Sequence, residues 1–160
     1  MTNQQTNALH VAAQGDREIV TERVFNAPRE KVFQAFVDPE LVPKWWGRRV
    51  DTTTVDRMDV RVGGDWRFVT DGPDGSHAFR GTYRAIEPPE LVEWTFEWEG
   101  MPGYVAVETA RFEDLGDGQT KVSTRTLFHT TEERDGMLAS GMEIGMGESY
   151  EKLDELLARD

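Results

Sequence analysis

The sequence predicts an α+β protein in which a curved antiparallel β-sheet wraps around a long C-terminal helix. Most of the chain consists of short segments in which apolar and polar residues alternate, as they do in strands with one buried face. The C-terminal segment instead repeats apolar residues at helical spacing, at Met142, Met146, Leu153 and Leu156. A sheet with one apolar face needs a cover, and this helix is the only predicted element large enough to supply it.

The strongest strand signal is a pair of segments, 79–86 and 91–98, joined by Glu87-Pro88-Pro89-Glu90. As an antiparallel hairpin they carry charged pairs and threonines on one face, with Arg84 opposite Glu93, Thr82 opposite Thr95 and Arg80 opposite Glu97. The other face is aromatic, with Tyr83 opposite Trp94, Gly81 opposite Phe96 and Phe79 opposite Trp98. A slip of one residue would destroy both patterns, so the register is well specified.

The remaining elements follow in order along one predicted domain, residues 16–160. Residues 1–15 are polar, show no periodicity and are expected to form a flexible N-terminal tail. A first strand covers 17–25, and two short helices follow it, with Pro28 in the first turn of one and Gly47 ending the other. Six strands come next, at 50–62, 66–70, 79–86, 91–98, 105–113 and 121–128. Thr130 and Glu133 resemble a capping box that opens one helix reaching to about Arg159.

Composition narrows the classes of function. The net charge is −12, which disfavours binding to nucleic acid or to an anionic membrane. The absence of cysteine removes disulfides and thiolate chemistry, and suits the reducing cytoplasm, where we expect the protein to reside. The N-terminus lacks the features of a signal peptide. Three histidines without ligand spacing predict no metal site, and no cofactor-binding motif is present.

Several motifs together resemble one known group of proteins. They are Phe25-Asn-Ala-Pro28, Trp45-Trp46-Gly47, Gly63-Gly-Asp-Trp-Arg-Phe68, Phe79-x-Gly-x-Tyr83, Glu87-Pro-Pro-Glu90 and Gly141-Met-Glu-Ile-Gly145. In this order they resemble the START-like (SRPBCC) superfamily, and within it the homologues of the activator of the heat-shock-chaperone ATPase. The resemblance implies the helix-grip fold and a cavity for a small apolar molecule. The resemblance also implies a Trp in many relatives where this chain has Gly145-Met146, which predicts a wider or more pliable cavity here.

The expected cavity has a set of candidate wall residues, most of them aromatic. The candidate ligand-binding residues are Trp46, Trp66, Phe68, Phe79, Gly81, Tyr83, Trp94, Phe96, Ala110, Thr126, Met142, Met146 and Tyr150. The alternative is that these side chains form an ordinary core, since aromatic residues dominate cores. Gly81 has two interpretations, a space left for ligand or a point where the backbone bends the sheet, and bending is favoured.

The last hairpin supplies the one candidate catalytic residue. With Phe112 opposite Val122, the side chain of Glu108 points into the sheet's dry face, where burial would raise its pKa. The other register turns Glu108 outward and Arg111 inward, and the sequence leaves both open. A carboxylate solvated near the cavity mouth, or paired with an arginine, is a further alternative for Glu108.

Three functions follow from these observations. The first is binding of a small apolar molecule; the second is an enzyme, such as a cyclase, dehydratase or hydrolase, that uses Glu108 as acid or base. The third is a co-chaperone-like interaction domain. The sequence does not decide whether the protein forms a homodimer.

Overall fold

The computed structural model describes residues 8–159, which form a single eight-stranded antiparallel sheet and four helices. The strands lie in the order β1-β2-β8-β7-β6-β5-β4-β3, and every neighbouring pair is antiparallel. Their bounds are β1 His10–Gln14, β2 Glu18–Phe25, β3 Thr52–Met58, β4 Asp65–Gly72, β5 Gly75–Glu87, β6 Leu91–Trp98, β7 Ala106–Gly116 and β8 Gln119–Leu127. From β3 to β8 the sheet is a meander, and the chain returns across it through the C-terminal helices.

The helices occupy the concave side and one end of the sheet. Their bounds are α1 Arg29–Val37, α2 Val42–Trp45, α3 Thr131–Ala139 and α4 Met142–Leu157. The side chain of Thr130 accepts a hydrogen bond from the backbone N–H of Glu133 at 3.1 Å, as the predicted capping box requires. This arrangement confirms the predicted α+β helix-grip fold.

Three details differ from the sequence-based expectation. Residues 10–14, expected to belong to the tail, form β1, which pairs with β2; residues 1–7 of that tail lie outside the described part of the chain. The two short helices consequently follow the second strand rather than the first. The predicted long C-terminal helix is broken into α3 and α4 at Gly141, whose φ of 88° is left-handed and strongly favours glycine.

The aromatic hairpin adopts the predicted register over most of its length. Tyr83 pairs with Trp94, Arg80 with Glu97 and Phe79 with Trp98. A bulge at Arg84 then shifts the pairing by one residue, so that Ala85 rather than Arg84 lies opposite Glu93. Arg84 still reaches Glu93, with Nε 3.7 Å from the carboxylate. The charged face and the aromatic face are therefore both present, and the bulge adjusts only the end nearest the Pro-Pro turn.

One half of the sheet's inner face is densely packed. Phe33 and Phe36 of α1 meet Phe112 of β7 edge-on, with ring centroids 5.1 and 5.0 Å apart. Tyr150 of α4 packs edge-on against Phe25 at 5.2 Å. Such edge-to-face contacts are the favoured geometry for aromatic rings and fix the position of α4 against this half of the sheet.

Gly81 of β5 has no room for a side chain, because the backbone of β6 lies directly beside it. A Cβ there would overlap the backbone carbonyl oxygen of Thr95 and lie 2.6 Å from Nε1 of Trp66. We predict that Gly81→Ala lowers the free energy of unfolding by about 1–3 kcal/mol, measured by urea denaturation.

Gly147 of α4 is the matched control, since a Cβ there would meet nothing within 4 Å. Gly147→Ala should raise the free energy of unfolding by roughly 1 kcal/mol, the helix-propensity difference between the two residues. Equal effects of the two substitutions would contradict the close approach described at Gly81.

Candidate functional site

A cavity of about 440 Å³ lies between the concave face of the sheet and the N-terminal half of α4. This volume falls within the range of about 300–1,000 Å³ typical of small-molecule sites. Its walls are formed by strands β2 and β4–β8, by α2 and the residues after it, and by the α3–α4 region. The cavity therefore lies in the part of the space between sheet and helix that core side chains do not fill.

The wall contributed by the central strands is a continuous aromatic surface. Trp66 packs against Phe68 with ring centroids 4.7 Å apart, and Phe79 packs against Phe96 at 5.5 Å. Trp46, which follows α2, closes the same wall by meeting Phe68 and Phe79 edge-on, each at 5.2 Å. Alternation along β4, β5 and β6 places the rings of Trp66, Phe68, Phe79 and Phe96 on the same side of the sheet. An apolar molecule would find aromatic contacts along this entire wall.

The opposite wall is α4, and its side chains change in size along the helix. Met142, Gly145 and Met146 line the cavity at the N-terminal end. Leu153 and Leu157, further along the same face, are fully buried in the core. Ser149 marks the transition: its hydroxyl accepts from the N–H of Gly47 and donates to the carbonyl of the same residue, both at 2.9 Å. The space thus opens where the helix carries glycine and flexible methionine in place of branched side chains.

A single row of neighbouring side chains crosses the floor of the cavity. Tyr83 of β5 pairs with Trp94 of β6, Trp94 pairs with Glu108 of β7, and Glu108 pairs with Thr126 of β8. Directly opposed residues on antiparallel strands project from the same face about 5 Å apart. The structure therefore selects the register with Glu108 inward, while Arg111 lies exposed on the outer face. A carboxylate therefore stands between an indole and a threonine on the cavity floor.

Glu108 is surrounded by protein, yet it has no bonding partner among the residues that the structure describes. Its side chain is half-buried by surface area because it lines the cavity, and within residues 8–159 it makes no ion pair or direct hydrogen bond. Removal of the carboxylate from bulk water raises its pKa to about 7. The same negative charge, together with burial as the larger cause, raises the pKa of the Tyr150 hydroxyl. These two groups form the polar end of the cavity.

Two of the polar side chains near Glu108 already have partners of their own. Thr21 of β2 and Thr124 of β8 share a hydrogen bond of 2.5 Å between their hydroxyls. Arg23, a buried arginine of β2, lies 3.3 Å from the carboxylate of Asp154 and stacks 4.7 Å from the centroid of the Phe25 ring. Neither Thr21 nor Arg23 therefore compensates the Glu108 carboxylate.

The cavity mouth carries a charged cluster that sequence reasoning missed. Arg48 donates to Asp51, and its Nη2 also donates to Asp74 at the tip of the β4–β5 turn, both at 3.0 Å. The hydrogen bonds from Arg48 hold the pKa of Asp51 below its ordinary value. His77, also at the mouth, packs 5.6 Å from the ring of Trp98. Arg48 and Asp74 are 26 residues apart in the sequence and gave no local pattern, because the fold alone brings them together.

Most of the predicted ligand-binding residues line the cavity. Those in the wall are Trp46, Trp66, Phe68, Phe79, Tyr83, Trp94, Phe96, Thr126, Met142, Met146 and Tyr150, together with the candidate catalytic Glu108. Gly81 and Ala110 do not line it. The space beside Gly81 is filled by the backbone of Thr95, and Ala110 is fully buried within the packed core. Ile19 and Thr21 were not among the predicted wall residues, although alternation along β2 places them on its inner face.

The sheet, the helix it grips and the cavity between them define a START-like protein. The chain belongs to the family described as Activator of Hsp90 ATPase homolog 1-like protein, whose family model matches residues 26–158. No curated protein matches the chain. Within the described residues, no helix is long and apolar enough to cross a membrane.

Solved structures show the same fold over nearly the whole chain. A crystal structure from Rhodobacter sphaeroides has a TM-score of 0.86 at 26% identity and covers 94% of this chain and 98% of that one. A solution structure from Arthrobacter aurescens has a TM-score of 0.84 at 25% identity, covering 93% and 91%. A crystal structure from Chromobacterium violaceum has a TM-score of 0.79 at 26% identity, covering 90% and 99%.

The raised pKa of Glu108 predicts a specific dependence of stability on pH. Between its ordinary pKa of 4.5 and about 7, the folded protein keeps a proton at Glu108 that the unfolded chain releases. This contribution to stability is complete below pH 4.5 and is lost as the pH rises through 7. Glu108→Gln removes this titration. The free energy of unfolding of the variant, relative to that of the unmodified protein, should therefore increase by roughly 2 kcal/mol between pH 5 and pH 8.

Urea denaturation at the two pH values measures this difference, and carboxyl titration by NMR gives the pKa itself. Glu113→Gln is the control, because Glu113 is an exposed carboxylate on the same strand. Its effect on stability should not follow the pattern of Glu108→Gln. A Glu108 that titrates near its ordinary pKa of 4.5 would contradict the described environment.

Proposed function

We propose that the protein binds a small hydrophobic molecule in the cavity between the sheet and α4. The observation that carries this proposal is the cavity itself, about 440 Å³ of space with walls of tryptophan, phenylalanine and methionine. Water in such a space loses hydrogen bonds, so an apolar occupant that displaces it gains free energy at about 25 cal/mol per Å² of buried apolar surface. The family to which the chain belongs has the same fold, and that supports the proposal at the level of architecture.

The different polarity of the aromatic wall and the floor would orient a bound molecule. Its apolar part would lie against Trp66, Phe79 and Phe96, where the aromatic wall is continuous. A polar group would lie towards Glu108 and Tyr150 at the floor, neither of which makes a side-chain hydrogen bond within residues 8–159. The methionines of α4 would adapt to the shape of the occupant, because their side chains are unbranched and flexible.

An enzyme is the second candidate, and Glu108 is the observation that favours it. A general acid or base works best with a pKa near the working pH, and burial brings the pKa of Glu108 to about 7. In an enzyme of this kind, Glu108→Gln would reduce turnover of a hydrophobic substrate by roughly 10²–10⁴-fold while leaving the affinity for uncharged substrates intact. In a binding protein the same change would alter only the affinity for ligands with a suitable polar group.

Filling the cavity tests the proposed binding directly. Met146→Trp places an indole in the space, and we predict that it weakens binding of the uncharged probe N-phenyl-1-naphthylamine at least about tenfold, or 1.4 kcal/mol. Probe fluorescence during titration measures the affinity, and the unmodified protein should bind one probe per chain.

Ile144→Trp is the matched control on the same helix. Ile144 is 70% exposed and does not line the cavity, so the added indole should leave probe affinity unchanged. Equal loss of affinity in both variants, or no binding to the unmodified protein, would argue against a ligand site in the cavity.

A further inference from the structure

We propose that the cavity selects hydrophobic molecules that carry a basic nitrogen, with the ammonium group held by Glu108 beside the indole of Trp94. This inference rests on the proposed function and narrows it to one chemical class. It follows from the arrangement of charge inside the cavity, where Glu108 and aromatic faces lie together and no side chain of residues 8–159 pairs with the carboxylate.

The floor of the cavity has the components of an ammonium site. Glu108 and Trp94 are directly opposed on β6 and β7 and project into the same space. An ionised carboxylate accepts short, charge-assisted hydrogen bonds from an ammonium group. The face of a neighbouring indole attracts the same cation through its quadrupole, while the hydrocarbon part of the ligand contacts the remaining aromatic wall.

No side chain among residues 8–159 supplies this cation. In the part of the chain that the structure describes, Arg48 is the single Lys or Arg side chain lining the cavity, and it is engaged by Asp51 and Asp74 at the mouth. The buried Arg23 is paired with Asp154. Glu108 is thus a carboxylate whose ionised form has no counter-charge, and a ligand cation would provide one.

The hydroxyls near Glu108 do not replace this missing partner. Thr21 and Thr124 bond to each other, and Thr126 and Tyr150 make no hydrogen bond with Glu108. Tyr150 keeps its proton, since burial and the charge of Glu108 both raise its pKa. A bound ammonium group could therefore donate to the carboxylate without displacing any hydrogen bond that the described protein already makes.

The surface charge favours the same class of ligand on its approach. The chain carries a net charge of −12, and the two aspartates at the mouth outnumber the arginine between them. A strongly negative protein concentrates cations near its surface and repels anions. An anionic amphiphile of the same size would meet unfavourable charge both at the mouth and at Glu108.

Three probes of one shape and different charge test the inference: 1-naphthylmethylamine, 1-naphthylmethanol and 1-naphthoate. Isothermal titration calorimetry at pH 8, above the pKa of Glu108, measures their affinities. We expect the amine to bind about tenfold or more tightly than the alcohol, the difference typical of a hydrogen bond to a charged group, and the carboxylate to bind most weakly. Glu108→Gln should abolish the preference for the amine and leave alcohol binding intact.

Glu113→Gln removes the same charge from the exposed side of β7 and should retain the preference for the amine. A preference that survives Glu108→Gln, or an alcohol that binds as tightly as the amine, would overturn the inference while leaving the proposed binding function in place. Binding of none of the three probes would overturn both.

A measurement on the unmodified protein keeps the inference falsifiable should Glu108→Gln fail to fold. Saturation with 1-naphthylmethylamine should lower the pKa of Glu108 as followed by carboxyl NMR, because a nearby cation favours the ionised form. Saturation with the alcohol should not. Equal carboxyl titrations with the two probes would count against an ion pair.

Discussion

The change in side-chain size along α4 determines how the rest of the molecule is arranged. At its C-terminal half, Tyr150, Leu153 and Leu157 fill the concave side of the sheet and are almost completely buried. At its N-terminal half, the same face carries Met142, Gly145 and Met146, which reach the sheet less fully. A curved sheet and a straight helix cannot stay in contact along their whole length without large side chains between them. The packed half fixes the helix, and the other half leaves the cavity.

The incomplete packing of this half of the molecule allows Glu108 to point inward without a partner among the described residues. A carboxylate under a closed core would need a partner, since burying an unpaired charge is costly. Here the side chain faces a space that water or a ligand can enter. The unfavourable removal of the carboxylate from bulk water therefore raises its pKa to about 7 and does not prevent folding. The same residue therefore links stability, pH and the chemistry of any occupant.

The sequence predicted the fold and many of the residues that line the cavity, because both depend on local patterns. Alternation in β5 and β6 predicted the aromatic face and the pairing of Tyr83 with Trp94. Alternation in β7 allowed two registers, and the inward position of Glu108 belongs to one of them. The break at Gly141 was missed because apolar spacing continues across it. The cluster of Arg48 with Asp74 was missed because only the tertiary structure brings these residues together. Gly81 was predicted to line the cavity because it alternates with the aromatic residues of β5. The contact with the backbone of Thr95 that leaves no space there comes from the neighbouring strand and is visible only in the structure.

The most direct test of the account is where an apolar molecule sits when it binds. Intermolecular NOEs between N-phenyl-1-naphthylamine and selectively labelled methionine methyl groups would locate it without any substitution. The account predicts contacts to Met142 and Met146, which line the cavity, and none to Met101, which is 50% exposed and lies outside it. Contacts to Met101 with Met142 and Met146 unperturbed at saturation would contradict a cavity that holds a ligand.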